Sequence, residues 1–414
     1  MIPLPVEAER LQGQIDALAK ISESPEPVVT RVLFSEADLR ARAFVKNHYQ
    51  ELHLQMREDA VGNLFARWTG KDPALPPVAT GSHIDAIPNA GRYDGVVGVL
   101  GAIEALRALK QTGFEPNRSI EVIVFTAEEP TRFGLGCLGS RMLSGALSLK
   151  KAGFLRDPEG KTLDQWRQTA GFGDLDLGTV RLAKGAYAAF IELHIEQGPI
   201  PEQKKVPIGI VEKIAAPSTL RIQLTGEGGH AGAVLMPDRH DALLAGAEIA
   251  LAVEQAALTT KSRDTVATTG VFRIEPGAVN SVPCKAWLEI DLRDTQLGSR
   301  DAALARIENI VPEICRKRGI ELKIERLNVD APAICDPGLI ETLGGVSQEL
   351  GLPMKKMVSR AYHDSLFMAQ ICPTTMIFIP SRAGVSHRPD EYSSPEQIRD
   401  GVTVLAHALA KLAA

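Results

Sequence analysis

Nine histidines are spread through the chain, and three of them stand where an apolar run gives way to a polar loop: His83 in GSHID, His194 in ELHIEQG and His387 after TTMIFIPSRAG. Two adjacent glutamates, Glu128 and Glu129, follow the run SIEVIVFTA directly. Asp94 sits in GRYDGVVG, between the His83 loop and a helical stretch. Imidazole and carboxylate without thiolate are donors that suit zinc or manganese. Two such ions roughly 3.5–4 Å apart need a bridging group, and a carboxylate such as Asp94 has one oxygen for each. One ion would then take His83 and His194, the other Glu129 and His387. Adjacent side chains on extended backbone point apart, which divides the glutamates. Glu129 is read as the ligand and Glu128 as the general base that takes a proton from an activated water and delivers it to a leaving nitrogen. Asp85, two residues past His83, is expected to accept the proton of that imidazole's other nitrogen and fix its tautomer.

Each of these residues has a plainer reading. A single histidine at a strand end is more often a surface or core residue than a ligand. Adjacent glutamates usually form a solvated face, and Asp-Gly usually makes a turn. Coincidence decides against those readings, because all these residues fall at expected carboxyl ends of strands or in the loop that follows. His48, His53, His240 and His407 lack that context and are read as structural. GRYDGVVG is not a phosphate loop, since it has neither the Lys-Ser/Thr of a Walker motif nor GxGxxG spacing.

The elements that must position these groups follow from periodicity. Leu11, Ile15, Leu18 and Ile21 mark an opening helix. Strand-like runs (VGNLFARW, PVATGSH, SIEVIVFTA, AYAAFIELHI) then alternate with helical ones such as VLGAIEALRALKQTG. That pattern predicts an α/β layered domain with a mixed sheet flanked by helices. In open α/β sheets, ligands gather beyond the carboxyl ends of the strands. Residues 216–329 read differently: strand, Ala-rich helix, strand, strand, helix, strand. This βαββαβ order is the ferredoxin-like pattern. The α/β pattern resumes afterwards, so the chain is divided into a first domain of residues 1–215 and 330–414 and an inserted domain of residues 216–329.

A length of 414 residues suits two domains. A net charge of −5, from 46 basic and 51 acidic residues, gives no reason to expect nucleic acid or an anionic membrane as partner. No apolar run reaches the ~20 residues of a membrane span. Five scattered cysteines without CxxC spacing point to a reducing compartment, read as the cytoplasm.

Taken together, GSHIDAIPNAGRYDGVVGVLGAIEAL, FTAEEPTRFG, ELHIEQGP, GEGGHAGAVLMPDR, PGAVNSVP, EIDLRD and GVSHRPDEYSSPE resemble the M20-type binuclear amidohydrolases, from about residue 55 to the C-terminus and in the family's order. The resemblance implies the same metal ligands, Glu128 as base, and an inserted domain that serves as lid and dimerisation surface in a homodimer. It also implies a cis peptide after the shared aspartate, here Asp94–Gly95. Arg293 and Asn280 match a pair that grips a substrate carboxylate, which suits a guanidinium fork. The plain reading of Arg293 is an ion pair with Asp291 or Asp294. His230 matches a histidine that polarises the scissile carbonyl, often across the dimer, and Gln197 matches a polar contact to substrate. Family resemblance suggests manganese, with zinc compatible.

Within the family, EEPTRFG stands where EEG-x-RF is more usual, and SRAYHDSLFMA where SGAGHDA is common. Tyr362 in place of glycine shortens the pocket and adds a hydroxyl, and His363 beside it is expected to help position substrate. These features lean toward the branch that cleaves ureidoglycolate, a small ureido acid. The alternatives are hydrolysis of N-carbamoyl-L-amino acids or allantoate, a peptidase of the same M20 group, and a catalytically dead metal- or ureide-binding protein. Arg293 and Asn280 speak against the peptidase. The full ligand set and Glu128 speak against the inactive binder.

Overall fold

The structure, a computed structural model, describes residues 3–414. The chain divides into two compact units. One comprises Met1–Glu212, Ile334–Met357 and His363–Ala414; the other comprises Lys213–Ala333 and Val358–Tyr362.

The first unit is mixed α/β and is built on a nine-stranded sheet. Four neighbouring strands at its middle run parallel, in the order Thr374–Ile379, Ala189–Ile195, Val78–His83, Ile120–Phe125. Every residue of these four is buried, as expected for parallel strands covered on both faces. Leu193 of one strand lies against Gly101 of the helix Val96–Gln111. By alternation, Phe190 points to the opposite face, into a cluster with Ile123, Phe125, Leu138 and Met142. Leu64–Trp68 and Gln55–Glu58 add antiparallel strands at one edge. The last helix, Pro395–Ala413, begins at a capping box in which Ser394 and Gln397 satisfy each other's backbone amides. The first helix spans Ala8–Ala19 and buries Leu11, Ile15 and Leu18, while Ile21 falls beyond its end.

The second unit has the βαββαβ order with an antiparallel sheet arranged Val266–Glu275, Lys285–Asp294, Ala216–Thr225, Glu321–Val329. Its helices, Ala242–Leu258 and Leu297–Arg318, share one core with Leu220, Ile222, Leu288, Ile290 and Leu292. Strict alternation along Lys285–Asp294 buries Ala286, Leu288, Ile290 and Leu292 and leaves Trp287, Glu289, Asp291 and Arg293 partly exposed. The strands Ile208–Ile214 and Met354–Ser359 and the short helix Leu138–Ser144 are elements that periodicity did not mark. Among the described residues, no helix is long and apolar enough to cross a membrane.

Candidate metal centre

Strand register places the chemistry. His83 is in register with Phe125, and His194 with Phe378. The loops carrying Glu128, Glu129 and His387 therefore leave the sheet at the same edge as the two strand histidines. Asp94 lies between the strand Ala86–Ala90 and the helix Val96–Gln111. Its Oδ1 is 3.4 Å from His83 Nε2 and 3.2 Å from His194 Nε2. Its Oδ2 is 3.3 Å from His387 Nε2, which is 3.4 Å from Glu129 Oε1. One carboxylate thus presents a separate oxygen to each of two donor groups, His83–Asp94–His194 and Asp94–Glu129–His387, each with its ligand atoms within 4.8 Å of one another.

The donors suit divalent cations. His83 Nδ1 is 3.1 Å from the Asp85 carbonyl and His194 Nδ1 is 2.9 Å from the Ile195 carbonyl. Those bonds place the proton on Nδ1 and leave the Nε2 lone pair facing Asp94. His194 Nε2 accepts the Gly95 amide at 3.2 Å. His83 Nε2 is buried and has no hydrogen-bond partner, as a ligand atom would be. Burial also crowds acidic groups together. The Glu128 carboxyl is pushed well above its ordinary range by burial, with Glu129 and Asp94 adding to the shift and His83 opposing it. Glu129 is pushed up to about 7, again by burial and by Asp94. Burial works in the same direction on Asp94, but the His194, His387 and His83 rings that face it outweigh burial and hold that carboxyl well below its usual range. The Asp94 contact, against burial, raises His387 to about 9. Divalent cations are the charges that would relieve such crowding.

Asp85 is used differently from the expectation. Its main-chain carbonyl takes the His83 bond, and the carboxylate Oδ1 stands 3.5 Å from that ring. Both carboxylate oxygens instead accept main-chain amides, Oδ1 from Glu128 at 3.2 Å and Oδ2 from Glu129 at 3.0 Å. Two successive amides form such a nest because Ala127 adopts φ 50. The other side of this turn is held by the Cys137 amide donating to the Glu128 carbonyl at 2.8 Å and the Leu138 amide to the Ala127 carbonyl at 2.9 Å.

The turn at Asp94 also departs from expectation. The cis peptides are Glu26–Pro27 and Glu275–Pro276, and Asp94–Gly95 is not one of them. Gly95 takes φ 66 and ψ −43, so that the Val96 amide donates to the Asp94 carbonyl at 2.7 Å in a γ-turn. The reversal comes from a left-handed φ that only glycine adopts readily. A side chain there would also collide with the His83 ring.

Gln197 donates from Nε2 to Asp94 Oδ2 at 2.6 Å and to Ser386 Oγ at 3.2 Å, so its amide is turned onto the carboxylate. His363 is 1% exposed, with its ring 4.4 Å from that of His194. It therefore packs against the ring of His194, one of the candidate donors. Glu192 shares a third donor group with His194 and His363. Its oxygens, however, already accept Ser82 Oγ at 2.7 Å and Ser365 Oγ at 2.6 Å, which makes it a clamp between elements. Sequence reasoning did not single out Ser386 or Glu391. Glu391 accepts the Tyr93 and Asp94 amides at 2.8 and 3.1 Å. Its spacing of four residues from His387 was the available signal.

The remaining expected residues lie in the second unit. Arg293 is held by Asp291 at 2.7 and 3.0 Å, and its guanidinium carbon is 5.2 Å from the centre of the Tyr362 ring. His230 is exposed, with Nδ1 accepting the Gly232 amide at 3.1 Å. Asn280 is exposed, and its carbonyl accepts the Ala231 amide at 2.8 Å.

Comparison with known proteins agrees with this geometry. The profile of the Peptidase family M20/M25/M40 matches residues 79–411. A ureidoglycolate hydrolase from Arabidopsis thaliana is 52% identical over 99% of this chain and 87% of its own length. An N-carbamoyl-L-amino acid amidohydrolase from Geobacillus stearothermophilus is 35% identical over 99% of both chains. Crystal structures of AtUAH in complex with glyoxylate and with (S)-hydroxyglycine superpose with a TM-score of 0.94 each, at 52% and 51% identity, covering 99% of this chain and 98% of theirs. From the two donor groups around Asp94 and these near full-length matches, the chain belongs to the M20/M25/M40 family and is a divalent-metal-binding hydrolase of amide or ureide C–N bonds.

Proposed function

We propose that the chain hydrolyses the ureido group of (S)-ureidoglycolate, with manganese as the preferred pair of ions and zinc as a compatible substitute. The observation that carries this reading is the 52% identity to a ureidoglycolate hydrolase across nearly the whole chain, against 35% to a carbamoylase of equal coverage. Tyr362, set against Arg293 in the second unit, supports a small polar substrate.

Cations held by the two groups would lower the pKa of a water and polarise the ureido carbonyl. Glu128 accepts the proton of the attacking water and passes it to the departing nitrogen. Its raised proton affinity suits both halves of that transfer. Asp85 keeps Glu128 and Glu129 aimed by holding their amides. Arg293 and Asn280 are assigned to the substrate carboxylate, which would exchange with Asp291 on the guanidinium fork. His230, contributed by one subunit of a homodimer to the substrate of the other, stabilises the developing oxyanion. Gln197 and Tyr362 are assigned to the substrate, and His363 supports the His194 ring. Water adds to the ureido carbon and its bond to the terminal nitrogen breaks, releasing ammonia and leaving the carbamate of hydroxyglycine; the carbamate loses carbon dioxide by breaking its remaining C–N bond, and hydroxyglycine then loses ammonia to give glyoxylate.

The test is ammonia release from (S)-ureidoglycolate, allantoate and N-carbamoyl-L-methionine, with and without added manganese. Faster turnover of the carbamoyl amino acid would overturn the substrate assignment. Sedimentation at assay concentration tests the homodimer. The five free cysteines support work in the reducing cytoplasm.

A further inference from the structure

We infer that Glu391 and Ser386 are the positioning pair for the Asp94 carboxylate, an assignment that rests on reading Asp94 as the ligand shared by two cations. The segment Tyr93–Asp94 belongs to no helix or strand, and the γ-turn at Gly95 leaves the two preceding amides without a regular main-chain acceptor. Glu391, 297 residues away from Asp94 in sequence, supplies that acceptor: a single oxygen, Oε1, takes the Tyr93 amide at 2.8 Å and the Asp94 amide at 3.1 Å. The side chain is 4% exposed, so these bonds form away from water. Its close approach requires glycine at position 91, where a Cβ would come within 2.5 Å of Glu391 Cβ.

The second oxygen works through a hydroxyl. Ser386 Oγ lies 2.9 Å from Glu391 Oε2 and 2.9 Å from Asp94 Oδ2. It also receives Gln197 Nε2 at 3.2 Å. Glu391 therefore holds Asp94 at the main chain directly, and Ser386 stands between the two carboxylates with one hydroxyl proton that goes to Asp94 Oδ2 or to Glu391 Oε2 at any moment. The oxygen controlled in this way is Oδ2, the one that faces His387 and Glu129. A carboxylate shared by two ions must be placed to within about half an ångström, and a loop residue without regular hydrogen bonding cannot meet that demand unaided.

The experiment titrates manganese calorimetrically into the chelator-stripped full-length protein and follows cobalt substitution by its visible d–d bands. The parent is expected to take up two ions. Glu391→Ala should weaken binding of both by about ten- to a hundredfold, the usual effect of removing an outer partner of a ligand. Glu391→Gln keeps the carbonyl that accepts both amides and donates to Ser386, so it should restore affinity to within a few-fold. Ser386→Ala should weaken mainly the ion of the Glu129–His387 group, with altered cobalt bands. Parental affinity in both Glu391→Ala and Ser386→Ala would overturn the proposal, as would a Glu391→Gln variant as weak as Glu391→Ala. Should Glu391→Ala fail to fold, parental affinity in Ser386→Ala is decisive against it. Lower melting temperatures with unchanged affinities would mark a merely structural role and equally overturn it. A parent that binds no ions, or an Asp94→Asn variant that binds two with parental affinity, sinks the metal-ligand reading itself, an outcome distinct from these.

Discussion

Removing the Asp85 carboxylate should release the turn that carries both glutamates. Asp85 is 2% exposed and accepts two buried amides at 3.2 and 3.0 Å. Asp85→Ala orphans both, and an unsatisfied buried donor costs about 1–3 kcal/mol, so the two together cost roughly 2–6 kcal/mol. The same substitution deletes a negative charge that raises the proton affinity of Glu129. Relief of that crowding places the stripped protein in the lower half of the range, about 2–3 kcal/mol, or a fall of ~3–5 °C in melting temperature for a unit of this size. Asp85→Asn retains one acceptor and should lose about half as much. Affinity for manganese should fall about ten- to a hundredfold, because Glu129 is a proposed ligand and its amide is no longer held. The assay pairs thermal unfolding of stripped protein with calorimetric titration of manganese. If Asp85→Ala melted at the parental temperature and bound the metal with parental affinity, the positioning argument would be refuted. A loss of turnover with both quantities unchanged would instead show that the carboxylate acts on the reaction directly.

Glu128→Gln should keep both ions by calorimetry and lose about 10²–10⁴ in kcat for ammonia release; parental turnover would remove Glu128 from the base role. Gly95→Ala should bind manganese poorly, since its φ of 66 is strained for alanine and the new Cβ collides with His83. Normal binding would mean that the turn is more plastic than the structure implies. Chelation should abolish activity and lower the melting temperature, and an ion at a hundred times its Kd should restore about 2.7 kcal/mol per site; thermal scans at graded manganese check this. Manganese affinity should weaken as pH falls below about 9, where the His387 ring, raised to about 9 by Asp94, carries a proton that the ion must displace. The sign is that binding releases a proton below that pH, which titrations in buffers of different ionisation enthalpy detect. Proton uptake would contradict it.

The candidate donors that the fold brings together could be read from the chain because two independent regularities coincide. Apolar runs long enough to be buried strands end at His83, His194 and just before Glu128, and parallel strands of one sheet must deliver their carboxyl ends to one edge. The same logic made the βαββαβ block legible, since alternation along Lys285–Asp294 is strict. What tertiary structure alone decided concerns main-chain groups and the neighbours of polar side chains. The Asp85 carboxylate holds the Glu128 and Glu129 amides, and every residue has an amide, so no letter in the sequence marks that choice. Glu391 reaches Asp94 across 297 residues, a separation over which no periodicity carries information. The reversal at Gly95 could be made by a cis bond or by a left-handed φ, and Asp-Gly permits either. His363 and Gln197 carry groups suited to substrate, yet packing places one beneath His194 and the other on Asp94. Residue type states what chemistry a group can perform; only packing determines which of its possible partners it meets.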